Sequence, residues 1–475
     1  FRSNPIPSFI ALVQEGRFLD AALVDYEQNA LPSCTGRVCA WERQCEGACV
    51  MNVRGEGIRI GAIERFLADY ALSHRDEFEA KRGREARLHL APEERVDACA
   101  IPNSRRPRVA VIGAGPAGLS AAHFLIRGGV SVSVLEAEQR AGGLLSVGIP
   151  EFVLPTRVVD HEIRRLEEEG VTFRFGVRLG DPADATKLLN RFDAVFLAVG
   201  AGRSRSLGVP GEALAGVCQA SDFLRRAKAS LSPDAPVSGG RPTVGGHVVV
   251  VGAGNTAMDA ARTAIRLGAA SVHVLYRRSK AESPSRPVEM EHARTEGVEF
   301  DFLVNPVRFL EDGGGHVRGV ELVRMELGEP DASGRRKPIP VAGSEFVFAC
   351  QTVILALGYE VQREVLPPVL LDERGYVRAD CLSGRTPIDG LYVGGDLLRG
   401  PATVVEAIRD GRVAAEQIVA ALSSRHSRDW VLTETVTGTR ATQRDATEAD
   451  ATETAQAMVR ATARRERETM RSERG

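Results

Sequence analysis

The chain has 475 residues, 43% hydrophobic, 26% charged and 5% aromatic, with a formal net charge of −2. This is the composition of an ordinary globular protein with room for about two to four domains. It excludes a chain-wide basic field for nucleic acid, an apolar run long enough to span a membrane, and an opening signal-peptide pattern, so a cytoplasmic protein is expected, with neither nucleic acid nor membrane as partner.

Residues 1–100 read as helical: Pro7 to Glu15 and Phe18 to Asn29 carry apolar residues at helical spacing. The loop LPSCTGRVCAWERQCEGACV then crowds four of the 8 cysteines between Cys34 and Cys49. In a protein with no sign of secretion, such crowding favours metal or cluster ligation over disulfides. Cys39, Cys45 and Cys49 form a C-x5-C-x3-C pattern, and a helix containing Glu64 follows. A cluster needs about four ligands; the paired CxxC knuckles that zinc prefers are absent, and a set of structural thiols is the alternative. The chain opens at Phe1 without an initiator methionine, so a missing upstream piece is expected.

After a linker, IPNSRRP at 101–107, the stretch from Pro107 to Glu138 organises the chain. An apolar strand, Val109 to Ile112, leads into Gly113, Gly115 and Gly118 spaced as GxGxxG. A helix from Ala117 to Arg127 follows, then a strand from Val130 to Leu135 ending at Glu136. The first glycine allows the tight turn, the second lets a diphosphate approach the backbone, and the third lets helix and strand pack closely. The helix N-terminus offers N–H groups to phosphate, and the acid accepts from a ribose 2′-OH. Pro116 and Ala117 belong to the same turn. Gly143 and Leu144 follow in AGGLLSVGIPEFVLP, ahead of an amphipathic helix from Val158 to Glu169 and a buried strand in Phe192 to Ala201.

A Ser-, Pro- and Gly-containing boundary at 230–246 precedes a second copy of the pattern. HVVVVGAGNTAMDAAR carries Gly252, Gly254 and Ala257 as GxGxxA, with Asn255 and Thr256 inside the turn. Its second strand ends in Tyr276-Arg277-Arg278 where the first ends in Glu136. An acid suits a free ribose hydroxyl and arginines suit a 2′-phosphate. The first site is therefore expected to take FAD and the second NADPH. Residues 298–345 alternate like strands of a small sheet. Thr352 to Tyr359 reads as a buried strand, and Gly394-Gly395-Asp396 precedes a helix starting near Ala402, with Thr403 at its head. That turn is expected to make a second flavin contact. From about Ser424 the tail is rich in Thr, Ala, Arg and Glu and is expected to be disordered or loosely helical.

Taken together, TGRVC, CEGAC, IGAIERF, VIGAGPAGLSAA, GGLLSVGIPEFVLP, VVGAGNTAMDAAR, YRRS and YVGGD make residues 1–422 resemble the glutamate synthase small (β) subunit family. The same module resembles the N-terminal half of dihydropyrimidine dehydrogenase. The resemblance implies an α/β fold with two Rossmann-like, adrenodoxin-reductase-like domains behind an α-helical iron–sulfur domain. The helical domain would occupy 1–100. FAD would be bound by 107–210 together with 346–422, NADPH by 211–345, and 423–475 would be the tail. It implies electrons passing from NADPH through FAD to 4Fe-4S clusters and on to a large catalytic (α-like) subunit or another acceptor such as ferredoxin. Cys39, Cys45 and Glu64 would help hold one cluster and Cys49 the other. The family's remaining four cysteines precede the segment matching NPIPSFIALVQEGRF, and SPSRP at Ser283 to Pro287 replaces the usual Met-Pro-Ala. A disulfide reductase would need a redox CxxC beside the flavin, and none is present. A cluster-deficient flavoprotein with a non-catalytic partner role is the other alternative.

Overall fold

The computed structural model describes residues 4–89, 106–230, 240–331, 334–373 and 375–434. Phe1–Leu422 forms one compact unit and Ser423–Gly475 another. The last helix, Val404–Glu434, enters the second unit; the rest of the expected tail, from residue 435, lies outside the described residues, as does most of the 101–107 linker.

Five helices open the chain: Ile6–Gln14, Phe18–Gln28, Pro32–Val38, Ile60–Ser73 and Arg75–His89. They close around Phe9, Tyr26, Leu67 and Phe78, all buried. This module is fastened to the first α/β domain by Arg165, whose guanidinium is fully buried. It donates to Ala30 O at 2.6 Å and pairs with Glu162 at 3.1 Å and Glu169 at 2.8 Å.

The strands in chain order are β1 Arg108–Ile112, β2 Ser131–Leu135, β3 Thr172–Arg174, β4 Ala194–Leu197, β5 Gly202–Ser204, β6 Val217–Gln219, β7 His247–Val251, β8 Ser271–Tyr276, β9 Val298–Phe302, β10 Val304–Glu311, β11 Val317–Pro330, β12 Arg336–Pro340, β13 Phe346–Ala349, β14 Thr352–Leu355, β15 Tyr359–Val361 and β16 Leu391–Val393. A first parallel sheet runs β16-β4-β1-β2-β3 and a second runs β6-β14-β7-β8-β9. Both are covered on two faces, which is why β1, β4, β7 and β14 read as continuous apolar runs rather than alternating ones. Strands β10 to β13 form an antiparallel sheet, and β15 pairs with β5.

The two fingerprints fold alike. Ile112 pairs with Leu135 in the first sheet and Val251 with Leu275 in the second. Gly113 N–H donates to Leu135 O at 2.8 Å, and Gly252 N–H to Leu275 O at 2.9 Å. Gly113 and Gly252 sit at φ +101° and +118°, which only glycine adopts without strain. The helices that come next, Pro116–Arg127 and Asn255–Arg266, each start from an extended glycine cap.

One expected boundary shifts. The sequence places the return to the flavin domain at 346, yet β13 pairs with β11 and β14 lies between β6 and β7 in the second sheet. The return follows Leu355, at the β15–β5 pair. Local composition cannot reveal this, because TVIL fits the interior of either parallel sheet.

Candidate functional site

The C-terminal ends of β1 and β2 and the loops beside them open onto a cavity of about 860 Å³. Of the residues singled out in the sequence, it gathers Gly113, Gly115, Pro116, Ala117, Glu136, Gly143, Leu144, Gly395, Asp396 and Thr403 from the first-sheet side. Asn255 and Thr256 reach it from the second-sheet side. Gly118, Gly252, Gly254, Ala257, Arg277 and Arg278 are not in its lining.

The glycines divide by what a side chain would meet. A Cβ at Gly118 would stand 1.9 Å from Gly113 O, so the helix can approach the turn only with glycine there. A Cβ at Gly115 would meet no protein atom within 4 Å and would project into the cavity. That open space over a helix N-terminus is the cradle a diphosphate needs, so the residues present fit a dinucleotide. Gly143 closes the cradle from the far side, where a Cβ would lie 2.9 Å from Gly115 Cα. Glu136 is buried and its carboxylate is oriented by two backbone donors. Oε2 accepts from Ala114 N–H at 2.7 Å and Oε1 from Glu138 N–H at 2.8 Å. The second fingerprint is equally open, a Cβ at Gly254 meeting only Pro284 Cγ, at 3.9 Å.

The Gly394-Gly395-Asp396 turn is fixed by residues the sequence reading missed. Asp410 accepts from Gly395 N–H at 3.2 Å and forms a bidentate pair with Arg399 at 2.6 and 2.7 Å. Gly411, beside it, lets the helix Val404–Glu434 press on the fingerprint helix, for a Cβ there would sit 2.1 Å from Ala117 O. Burial lifts the Asp396 carboxyl to about 6, and its Oδ1 accepts from Ala402 N–H at 3.2 Å. Thr403 caps its own helix: its Oγ1 accepts from Glu406 N–H at 3.4 Å, and Glu406 Oε2 accepts in return from Thr403 N–H at 2.9 Å and from the Thr403 hydroxyl at 2.6 Å. The second-sheet side adds Asp259, Arg286 and Glu289 to the lining. Burial raises Asp259 to about 8, with Glu289 adding to the shift.

The two arginines after β8, equivalent in the sequence, are separated by the structure. Arg278 is buried, donates Nε to Arg336 O at 2.8 Å and pairs with Asp331 at 2.6 Å. Arg277 is exposed. The planar fork of Arg278 is already engaged inside the protein, whereas Arg277 faces solvent.

The cysteine loop stands at the same cavity, through Arg37, Val38, Cys39 and Ala40. Cys39 is buried, and its thiol is pushed up by burial and by Glu64 and Cys45 nearby; burial lifts Cys45 to about 11. Glu64, raised by burial to about 7, accepts from Asn29 Nδ2 at 2.8 Å and Thr35 Oγ1 at 3.1 Å. Cys49 stands at the head of the short turn Val50–Val53, with no capping hydrogen bond from its side chain. Among the described residues no three His, Cys, Asp or Glu side chains converge to hold a metal ion. The loop is tied to the second fingerprint: Arg286 forks onto Glu42 at 2.9 and 3.1 Å beneath Trp41, and Arg43 donates to Pro284 O and Ser285 O at 3.2 and 2.8 Å. Asn255 Oδ1 accepts from Arg286 N–H at 2.9 Å, so the SPSRP segment joins the cysteine loop to the nucleotide turn.

Residues 107–411 match the model of the pyridine nucleotide-disulphide oxidoreductase family. This chain belongs to that family. Residues 2–76 match a second model, described as dihydropyrimidine dehydrogenase domain II, 4Fe-4S cluster. The Azospirillum brasilense glutamate synthase [NADPH] small chain is 39% identical over 88% of this chain and 84% of its own length, so the resemblance read from the motifs is borne out and the chain is a member of the small-chain family. The putative oxidoreductase AegA of Escherichia coli is 38% identical over 88% of this chain and 62% of its own length. The NADP(+)-dependent formate dehydrogenase subunit beta of Moorella thermoacetica is 37% identical over 87% of this chain and 58% of its own length. The chain thus spans about three fifths of these last two. Mycobacterium tuberculosis FprA in complex with NADPH shares the fold, with TM-score 0.57 at 22% identity over 68% of this chain and 86% of that one. Among the described residues, no helix is long and apolar enough to cross a membrane.

Proposed function

We propose that this chain is the electron-input component of an NADPH-dependent oxidoreductase, taking hydride from NADPH onto bound FAD. The observation that carries this reading is two alike fingerprints with opposite strand endings, Glu136 at one and Arg277 at the other, the first opening on a single cavity that Asn255 and Thr256 of the second also line. Gly113, Gly115, Gly118 and Glu136 would hold the FAD diphosphate and ribose. Gly143, Leu144, Gly395 and Asp396 would line its remaining length. Gly252, Gly254, Asn255, Thr256 and Ala257 would hold the NADPH diphosphate, and Arg277 its 2′-phosphate. When bound, the two cofactors supply hydride exchange and the step-down to single electrons. The chain's own residues bind, orient and exclude water, which is where positioning contributes most.

The acceptor we propose is a large glutamate synthase chain, on the strength of small-chain relatives matched over most of their length. Purification without oxygen, with FAD, iron and acid-labile sulfide quantified per chain, followed by mixing with NADPH, 2-oxoglutarate, glutamine and a large chain, tests it. Glutamate formation that requires both chains supports the reading. A flavin reduced by NADPH with no glutamate formed directs the electrons to another acceptor, such as ferredoxin.

A further inference from the structure

The cavity wall between Gly143 and Leu154 is held by a side chain that belongs to neither fingerprint. Lys228, on the helix Ala220–Ser230 directly after β6, is buried. Its ammonium donates to Leu145 O at 3.1 Å, Ile149 O at 2.7 Å and Leu154 O at 3.3 Å. All three N–H donors of an ammonium are thereby matched to backbone carbonyls, and among the described residues no carboxylate lies at hydrogen-bond distance in their place. Burial draws the group down to about 8, with Glu151 and Asp259 favouring its charge and Arg140 opposing it. Burying a charge against neutral carbonyls is a costly way to gain stability alone.

The segment so held is the cavity wall itself. Leu145, Val147, Gly148, Ile149 and Val153 line the cavity, and its first residue, Gly143, packs on Gly115. From outside, the Phe152 ring carries two guanidinium groups of the second fingerprint helix, Arg266 at 3.9 Å and Arg262 at 4.6 Å. Arg262 is in turn fixed by Glu289 at 2.7 Å and Glu296 at 2.9 Å. The second-sheet domain therefore grips this wall at three carbonyls within and one ring without.

We propose that Lys228 is a positioning residue for hydride transfer: it locks the flavin-side wall, residues 145–154, to the pyridine-nucleotide domain, and so sets the separation of the two nucleotide sites. The proposal rests on the reading of the cavity as the FAD and NADPH site. It distinguishes this chain from an enzyme whose two nucleotide domains swing apart between half-reactions, since swinging would strip a buried ammonium of all its partners at once.

The test uses the full chain. In K228M, hydrogen exchange of segment 145–154, measured without added nucleotide, should rise at least tenfold while β1 and β7 keep wild-type protection. FAD affinity should fall about tenfold. In single turnover with saturating NADPH the flavin reduction rate should fall tenfold or more, with the NADPH concentration at half-maximal rate changed less than threefold. F152L, which removes the ring from outside and leaves the buried carbonyls paired, should give the same pattern at smaller amplitude and serves if K228M does not fold. Unchanged exchange in 145–154 overturns the proposal. Raised exchange with reduction rate and FAD affinity within twofold of wild type also overturns it, leaving Lys228 a structural tie. Failure of the wild-type flavin to be reduced by NADPH overturns the reading beneath it, while the exchange arm still reports whether Lys228 holds the wall.

Discussion

Gly115 and Gly118 stand three residues apart in one fingerprint and should fail in opposite ways. Gly115 has φ −76° and ψ −177°, an extended conformation open to any residue, and a Cβ there meets no protein atom within 4 Å. Gly115→Ala should leave the nucleotide-free protein as stable as wild type, or more stable by about 0.4–1 kcal/mol through a restricted unfolded chain. Its methyl would nevertheless occupy the space the diphosphate needs, and FAD should bind at least about tenfold more weakly, a loss of about 1.4 kcal/mol or more. In Gly118→Ala the new methyl would lie 1.9 Å from Gly113 O, about 1 Å inside the closest approach real Cβ atoms show. The helix must shift away from β1. Overpacking of this kind costs about 1–3 kcal/mol, which at about 2–4 °C per kcal/mol for a domain of this size lowers Tm by about 2–12 °C. Thermal unfolding of the nucleotide-free proteins, paired with flavin titration by fluorescence quenching, separates the two. If Gly115→Ala loses as much Tm as Gly118→Ala, or binds FAD like wild type, Gly115 does not face the diphosphate and the cradle is assigned wrongly.

Further outcomes depend on single contacts. Arg277→Ala should raise the NADPH requirement at least tenfold and leave NADH within twofold, whereas Arg278→Ala, which removes the ion pair with Asp331 and the bond to Arg336 O, should lower Tm while shifting the two coenzymes equally; steady-state kinetics with both coenzymes checks this. Asp410→Asn should weaken FAD binding by loosening the Gly395 turn and releasing Arg399, with the helix Val404–Glu434 intact by circular dichroism. Glu296 is held near 2, its burial outweighed by Arg266 and Arg262. Because its folded value lies below its unfolded one, its contribution to stability is full above about pH 4.5 and is lost as pH falls toward 2. Glu296→Gln should therefore shrink the fall in Tm between pH 6 and pH 3.

Much of this site was legible because it is local. Strand, glycine turn, helix and closing residue lie within about thirty residues of one another in each fingerprint, and the periods of strand and helix announce them. Cavity residues Gly113, Glu136, Gly395 and Asp396 were found this way. What escaped was set by pairing at a distance. Nothing in TVIL says that β14 joins the second sheet rather than the first. Arg277 and Arg278 look interchangeable until Asp331 and Arg336 O, more than fifty residues on, claim one of them. Among the described residues the hydrogen-bond partners of Lys228 are backbone carbonyls, and backbone carries no sequence signal. Asp410 and Arg399 read as ordinary helix-surface charges, since only the turn they hold gives them a purpose. The cysteines were legible as a pattern, though among the described residues no three His, Cys, Asp or Glu side chains converge.

On the proposed function, one cavity brings FAD and NADPH together and NADPH is the electron donor. The most direct measurement is anaerobic stopped-flow mixing of the FAD-loaded chain with NADPH or NADH, following loss of the oxidised flavin band in a single turnover. Complete bleaching by NADPH is expected, at least tenfold faster than by NADH at equal concentration, with that preference erased in Arg277→Ala. A flavin that binds fully and is not bleached by NADPH, or is bleached equally fast by both coenzymes in the wild-type chain, would contradict it.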